Sequence, residues 1–238
     1  MTDVSTLIKG AKELGYEIGQ NEIKQFISYK ELLKEWNQKI NITSITDDIE
    51  IDIKHFIDSI TPLTTNLIKD NMKIIDIGTG GGFPGIPIKI IEKDLEMVLL
   101  DSTMKRINFL NEVIEELGLK NIKAIHGRAE ELGRDISYRE KFDVAISRAV
   151  ASLNTLSEYC LPYVRVGGYF ISMKGSDIEE EVNEAENSIK ILGGKVKDIK
   201  TFQIPLSNIK HSLIIIEKIK ETPTKYPRGG GKPKKKPL

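Results

Sequence analysis

Little in this chain suits metal or redox chemistry. The lone Cys160 excludes a disulfide framework and a cysteine zinc cluster, and fits a reducing cytoplasm. His55, His126 and His211 are scattered without ligand spacing, so no metal is expected. Long apolar runs are also missing. The longest aliphatic run, Leu213 to Ile216, is far too short to span a bilayer, so no membrane association is expected. The first ten residues, MTDVSTLIKG, lack a basic segment followed by an apolar one, so no secretory signal is expected. A cytoplasmic location is the resulting expectation; a monomer is the working expectation, which none of these absences decides.

Net charge is absent too, but its distribution is uneven. Residues 225 to 238, KYPRGGGKPKKKPL, hold six Lys/Arg and no acid, which leaves 29 basic against 35 acidic residues elsewhere. A basic tail on an acidic body suggests a polyanion partner reached by one face. The competing reading is a solvated terminus that only aids solubility. With 238 residues, 39% hydrophobic and 29% charged, the chain can bury a full core as one domain with an appendage, or as two small ones.

What the chain does have is a dense run of glycine after a short apolar segment. Residues 73 to 87, KIIDIGTGGGFPGIP, read as a short strand ending near Asp76, a tight turn, and the start of a helix. Gly78, Gly80, Gly81 and Gly82 allow φ > 0 and place no side chain between the backbone and a ligand across the turn. Gly80, Gly82 and Gly85 satisfy G-x-G-x-x-G, and Asp101 follows about twenty residues on, as in a dinucleotide fold. Two features oppose a dinucleotide. Pro84 and Pro87 delete N–H donors that a pyrophosphate would use at a helix start. Asp76 would repel a diphosphate but suit the ammonium of an amino-acid moiety. The expected cofactor is therefore a cationic adenosine, S-adenosylmethionine, with an NAD-dependent oxidoreductase as the alternative. The glycines have a competing role in tight strand–helix packing.

Residues 1 to 70 read as a helical cap, with helices over 3–15, 20–37 and 49–60 and a polar break at Asn37 to Thr46. His55 and Asp58 share a face of the last helix, either as an acid/base pair or as a structural hydrogen bond tying the cap to the core. From Lys73, strands and helices alternate, the pattern of a parallel sheet covered on both faces. Strands are expected at 73–77, 96–100, 122–126, 142–146 and 169–173. Two final runs, 195–204 and 212–219, lie too close together for a crossover helix and must pair antiparallel. The fold class expected is α/β: a Rossmann-like, doubly wound, mostly parallel seven-stranded sheet with an antiparallel last strand, as in class I methyltransferases, plus the N-terminal helical extension. Residues 71–220 form this domain and 221–238 the basic tail.

In such a sheet the ligand lies across the carboxyl ends of the strands. There the chain places Asp76, Gly78 and Gly80, then Asp101 for the ribose hydroxyls, Ala129 and Glu130 for the adenine edge, and Ser147 with Arg148. Phe83 at the loop mouth can pack on the cofactor. A helix cap is the rival role for Asp101, and a buried salt bridge the rival for Arg148.

The segments WNQKINITSI, KHFIDS, DIGTGGGFPGIP, LLDSTMKRINFL, GRAEE, ISRAVASL and YPRGGGKPKKKPL together resemble the bacterial small-subunit rRNA guanine-N7 methyltransferase family. The resemblance covers nearly the whole chain and implies cofactor contacts at Gly78, Phe83, Ala129, Glu130 and Arg148. It further implies 16S rRNA or the 30S subunit as partner and a guanine N7 in the 530 loop as target. Guanine N7 carries an in-plane lone pair, so no catalytic acid, base or nucleophile is expected; proximity, alignment and exclusion of water suffice. Arg148, Lys174, Arg228, Lys232, Lys234 and Lys235 are the candidates for contacting RNA. A methyltransferase with another acceptor is the remaining alternative.

Overall fold

The computed structural model describes residues 4–148 and 151–238; residues 1–3, where the first expected helix begins, and Ala149 and Val150 of the SRAVA run lie outside the described residues. After the cap come β1 (Lys73–Ile77), α5 (Gly85–Ile91), β2 (Glu96–Asp101), α6 (Met104–Glu116), β3 (Ile122–His126) and α7 (Ala129–Leu132). There follow β4 (Phe142–Arg148), α8 (Leu153–Cys160), β5 (Val164–Lys174), α9 (Glu179–Ile191), β6 (Gly194–Gln203) and β7 (Lys210–Lys218). They build one seven-stranded sheet in the order β3-β2-β1-β4-β5-β7-β6, parallel except where β7 pairs with β5 and β6. The order reverses beside β1, so the loops after β1 and β4 splay apart at the carboxyl end and leave a crevice.

Side chains alternate across a strand, and each face here is apolar. Ile74, Leu99 and Ile146 enter the layer shared with α5, α6 and the cap, whereas Ile75, Ile77 and Leu100 enter the layer under α8 and α9. Burying each such side chain contributes roughly 1.5–3 kcal/mol. The same alternation sends Asp76 into the α5 layer, away from the strand tip.

The cap is α1 (Ser5–Glu13), α2 (Gln20–Ile40), α3 (Asp48–Ile51), a π-helical stretch (Asp52–Ile57), α4 (Asp58–Ile60) and a 3-10 turn (Thr61–Thr65). Phe26, Tyr29 and Phe56 pack together, with Tyr29 stacked 5.3 Å from Phe56 and 5.5 Å from Phe83. Lys30 and Asp52 form a buried ion pair at 2.6 Å.

Three local readings are corrected. Helix α2 runs to Ile40, past the expected break, because the side chain of Asn37 accepts from Thr43 N at 2.8 Å and it is Asn41, at φ 47°, that stops the helix. The helix expected over 49–60 contains π turns through His55, which move its side chains off an ordinary helical face. Strand β5 starts at Val164 rather than Tyr169. The Gly167–Gly168 pair sits inside it where the β4 pairing slips, and a Cβ at Gly168 would lie 2.5 Å from Asp143 O.

The last eighteen residues fold back over α7 and α8 and include the short α10 (Lys232–Lys235), with Tyr226 and Pro233 buried. No helix among the described residues is long and apolar enough to cross a membrane.

Candidate active site

The loop after β1 is organised from beneath. Asp76 is fully buried, and its Oδ2 accepts from Thr79 Oγ1 at 2.7 Å and Gly85 N at 2.8 Å. Burial pushes its carboxyl up to about 6, against the opposing pull of those two hydrogen bonds. It braces the turn from inside and does not line the cleft, so the contact expected with a ligand ammonium is not prepared here.

The glycines divide between two jobs. Gly80, at φ 60°, faces open space, where an added Cβ would meet only Gly78 O at 4.0 Å. Gly81, Gly82 and Gly85 face inward instead. A Cβ at Gly82 would lie 2.6 Å from Tyr29 Oη, and one at Gly85 2.4 Å from Leu99. Part of the motif therefore serves packing against the cap and β2, and only its first half fronts the crevice.

A cleft of about 360 Å³ opens at the carboxyl ends of β1, β2 and β3, with Gly78, Asp101, Ala129 and Glu130 on its wall, joined by Arg128, Tyr159, Lys234 and Lys235. Asp101 is buried; its Oδ2 accepts from Gly80 N at 3.0 Å and its Oδ1 from Thr103 N at 2.8 Å. The carboxylate thus ties the glycine loop to the residue that precedes α6; Thr103 is the N-cap of that helix, so Asp101 does not take the helix-cap role. Glu130 is buried as well, and its Oε1 accepts from Gly231 N at 3.3 Å. A larger cavity, about 520 Å³, opens at the opposite strand ends between Lys73, Lys123 and Tyr138. It lacks the glycine turn and the topological crevice, so the smaller cleft is the candidate site.

Phe83 and Arg148 form a second cluster, on the cap side of the loop. The Arg148 guanidinium lies 5.1 Å over the Phe83 ring, and His55 stacks on the same ring at 4.4 Å. Arg148 Nη1 donates to Asp58 Oδ2 at 2.9 Å and Lys54 O at 3.0 Å, and Nη2 lies 3.3 Å from His55 Nδ1. His211 Nδ1 stands 2.7 Å from Asp58 Oδ1. His55 and Asp58 are thus not paired with each other; both hold Arg148. Since Nδ1 faces a guanidinium, the His55 proton belongs on Nε2, donating to Thr43 Oγ1 at 2.8 Å. Burial, with Arg148 alongside, brings His55 down to about 4.

Besides Arg148, two further residues expected to meet RNA are engaged within the fold. Lys174 donates to Ala151 O at 2.5 Å and Glu181 at 2.7 Å. Arg228 places its Nε and Nη2 on the buried Glu158 carboxylate, at 2.9 and 2.7 Å, where its positive charge neutralises that acid. Lys234 and Lys235 stay exposed at the cleft rim. Cys160 is buried, and burial pushes its thiol up, which leaves it inert.

A family model described as rRNA small subunit methyltransferase G matches residues 22–213. The chain belongs to the rRNA small subunit methyltransferase G family. Among the relatives bearing that name, the one from Acetivibrio thermocellus is 55% identical over 233 residues, covering 98% of this chain and 95% of its own. The relative from Alkaliphilus metalliredigens is 52% identical over 229 residues, covering 96% of each chain. Solved structures share the fold at low identity. M. jannaschii TYW2 in complex with AdoMet superposes with a TM-score of 0.52 at 17% identity, over 68% of this chain and 77% of that one. Bacillus subtilis YcgJ gives 0.54 at 13%, over 70% of this chain and all of YcgJ. Family membership removes the oxidoreductase alternative, and the sheet with its antiparallel β7 is that of class I methyltransferases.

The sequence pointed to most of the cleft wall through strand-end positions. It missed Tyr159, which carries no motif, and Arg128, which lies within GRAEE but was given no role, and it assigned the tail lysines to RNA only. Nothing local in GGGKPKKKPL signals that Gly231 returns to Glu130, 101 residues back.

Proposed function

We propose that this chain transfers a methyl group from S-adenosylmethionine to N7 of a guanine in the 530 loop of 16S rRNA, acting as a monomer on rRNA or the 30S subunit in the cytoplasm. The observation that carries the cofactor reading is the acceptor set of the cleft: two buried carboxylates, Asp101 and Glu130, beside the open backbone of Gly78 and Gly80. Such a set suits a ribose diol and an adenine amine. At the start of α5, Pro84 and Pro87 still lack the N–H groups that a diphosphate would need. Gly78, Gly80, Asp101, Ala129 and Glu130 would hold the nucleoside, with Phe83 and Arg148 on the far side of the loop toward the target base. When bound, the cofactor supplies an electrophilic sulfonium methyl.

The residues near the end of β4 support an acceptor that needs no deprotonation. Asp58 is taken up by Arg148 and His211, and Asp101 by the loop and Thr103. What remains for the protein is to present an unstacked guanine edge-on and to keep water out. The division into cap (1–70), methyltransferase domain (71–220) and tail (221–238) follows the same logic, with cap and tail flanking the crevice.

The test is methylation of 30S subunits or 16S rRNA from cells lacking this gene, followed by borohydride and aniline cleavage at N7-methylguanine. One new cleavage within the 530 loop is expected, and RNA carrying 7-deazaguanine at that position should lose at least 100-fold in incorporation. Undiminished methylation of the 7-deaza substrate would overturn the N7 assignment.

A further inference from the structure

The C-terminal tail is held in two unequal parts. Up to Arg228 it is sewn down: Arg139 donates to the carbonyls of Thr222 at 2.6 Å and Tyr226 at 2.8 Å, Arg134 to that of Pro227 at 2.7 Å, and Arg228 grips Glu158. Beyond it come Gly229, Gly230 and Gly231, where a Cβ would meet nothing within 4 Å and where Gly230 and Gly231 take φ 67° and 69°. This is a loosely walled glycine joint. Past the joint, α10 is fixed by the burial of Pro233, whose carbonyl accepts from Thr155 Oγ1 at 3.2 Å, and by a bond from Arg228 to Lys236 O at 2.9 Å. Gly231 N meanwhile sits on Glu130, and Lys234 and Lys235 stand on the rim of the same cleft.

Resting on the cofactor reading above, we propose that residues 229–236 form a movable wall of the cofactor cleft, so that retention of the nucleoside and binding of an RNA backbone are linked through one segment. The floor of the cleft is acidic and this wall is basic. Phosphates docked on Lys232, Lys234 and Lys235 hold α10 down over the cleft, and a ligand touching Glu130 touches the residue that anchors Gly231. By linkage, each ligand then tightens the other by the same factor. Loss of the RNA frees the wall to swing about Gly229–Gly231, which offers a route for release of the demethylated cofactor.

The experiment measures S-adenosylhomocysteine binding by calorimetry and amide hydrogen exchange over 229–238. It compares the full chain, a chain ending at Arg228, and full-length Lys234→Gln/Lys235→Gln. The wall predicts at least tenfold weaker S-adenosylhomocysteine binding in the shortened chain, with the exchange pattern of the sheet unchanged. In the full chain it predicts slower exchange of the tail when S-adenosylhomocysteine is added. It also predicts that a single-stranded 530-loop oligonucleotide tightens S-adenosylhomocysteine severalfold in the full chain but not in the double variant, which covers the case of a shortened chain that misfolds. Equal S-adenosylhomocysteine affinity in the full and shortened chains, or equal tightening by RNA in the double variant, overturns the wall while leaving the cofactor reading intact. A full chain that ignores S-adenosylhomocysteine at millimolar concentration overturns both.

Discussion

The cap and the tail both lie outside the alternating sheet, on opposite faces of it, and they are attached by different physics. The cap inserts Phe26, Tyr29 and Phe56 into the core that also contains Ile74 and Leu99, so lifting it would expose a large apolar face. The tail buries only Thr222, Tyr226, Pro227 and Pro233, and is otherwise held mainly by hydrogen bonds and ion pairs: Arg134 and Arg139 reach its carbonyls, Thr222 bonds to Glu140 and Leu192, and Arg228 pairs with Glu158. Segments held by few apolar contacts and many replaceable hydrogen bonds open at low free energy. The cap is thus a fixed part of the fold, and the tail is the part able to respond to a ligand.

The contrast breaks most clearly in the cap. Phe56→Ala removes a fully buried ring that contacts Phe26, Tyr29 and Phe83, and should cost about 3–5 kcal/mol in denaturant unfolding. A loss below about 1 kcal/mol would mean that the cap is no more integral than the tail.

A second prediction concerns pH. His55 is held down to about 4 in the folded chain, whereas in the unfolded chain it titrates near 6.5. The unfolded state therefore binds the additional proton between those values. The stability tied to a neutral His55 is complete above pH 6.5 and is lost as pH falls through 4, a change of up to about 3 kcal/mol. Asp76 has the opposite sign: raised to about 6, it takes up its proton first in the folded state, so its contribution is lost as pH rises from about 4 to 6. Urea unfolding of His55→Asn against the parent at pH 4.5 and 7.5 isolates the histidine. The two curves should converge toward the lower pH, and a constant gap would assign His55 no proton linkage.

The smallest effect belongs to the tail. Arg139→Ala removes the donors to Thr222, Tyr226 and Gly133 and should cost only about 1–2 kcal/mol globally. Amide exchange over 222–238 should nonetheless accelerate tenfold or more. Uniform acceleration across the sheet would show that the tail does not open on its own.

Strand alternation, the glycine turn and the short gap before β7 are local patterns, and from them the chain's order alone determined the sheet, its antiparallel closure and the strand-tip residues Gly78, Asp101, Ala129 and Glu130. Periodicity says which face of a strand is apolar, and a turn says where the backbone is bare; both act over a few residues. Contacts between distant segments left no such trace. That Asp76 braces the loop from below, that His55 and Asp58 meet through Arg148, and that Gly231 returns to Glu130 were decided only when the layers closed on one another. A buried carboxylate or guanidinium must take whatever partner the packing brings within reach, and that choice is made in three dimensions.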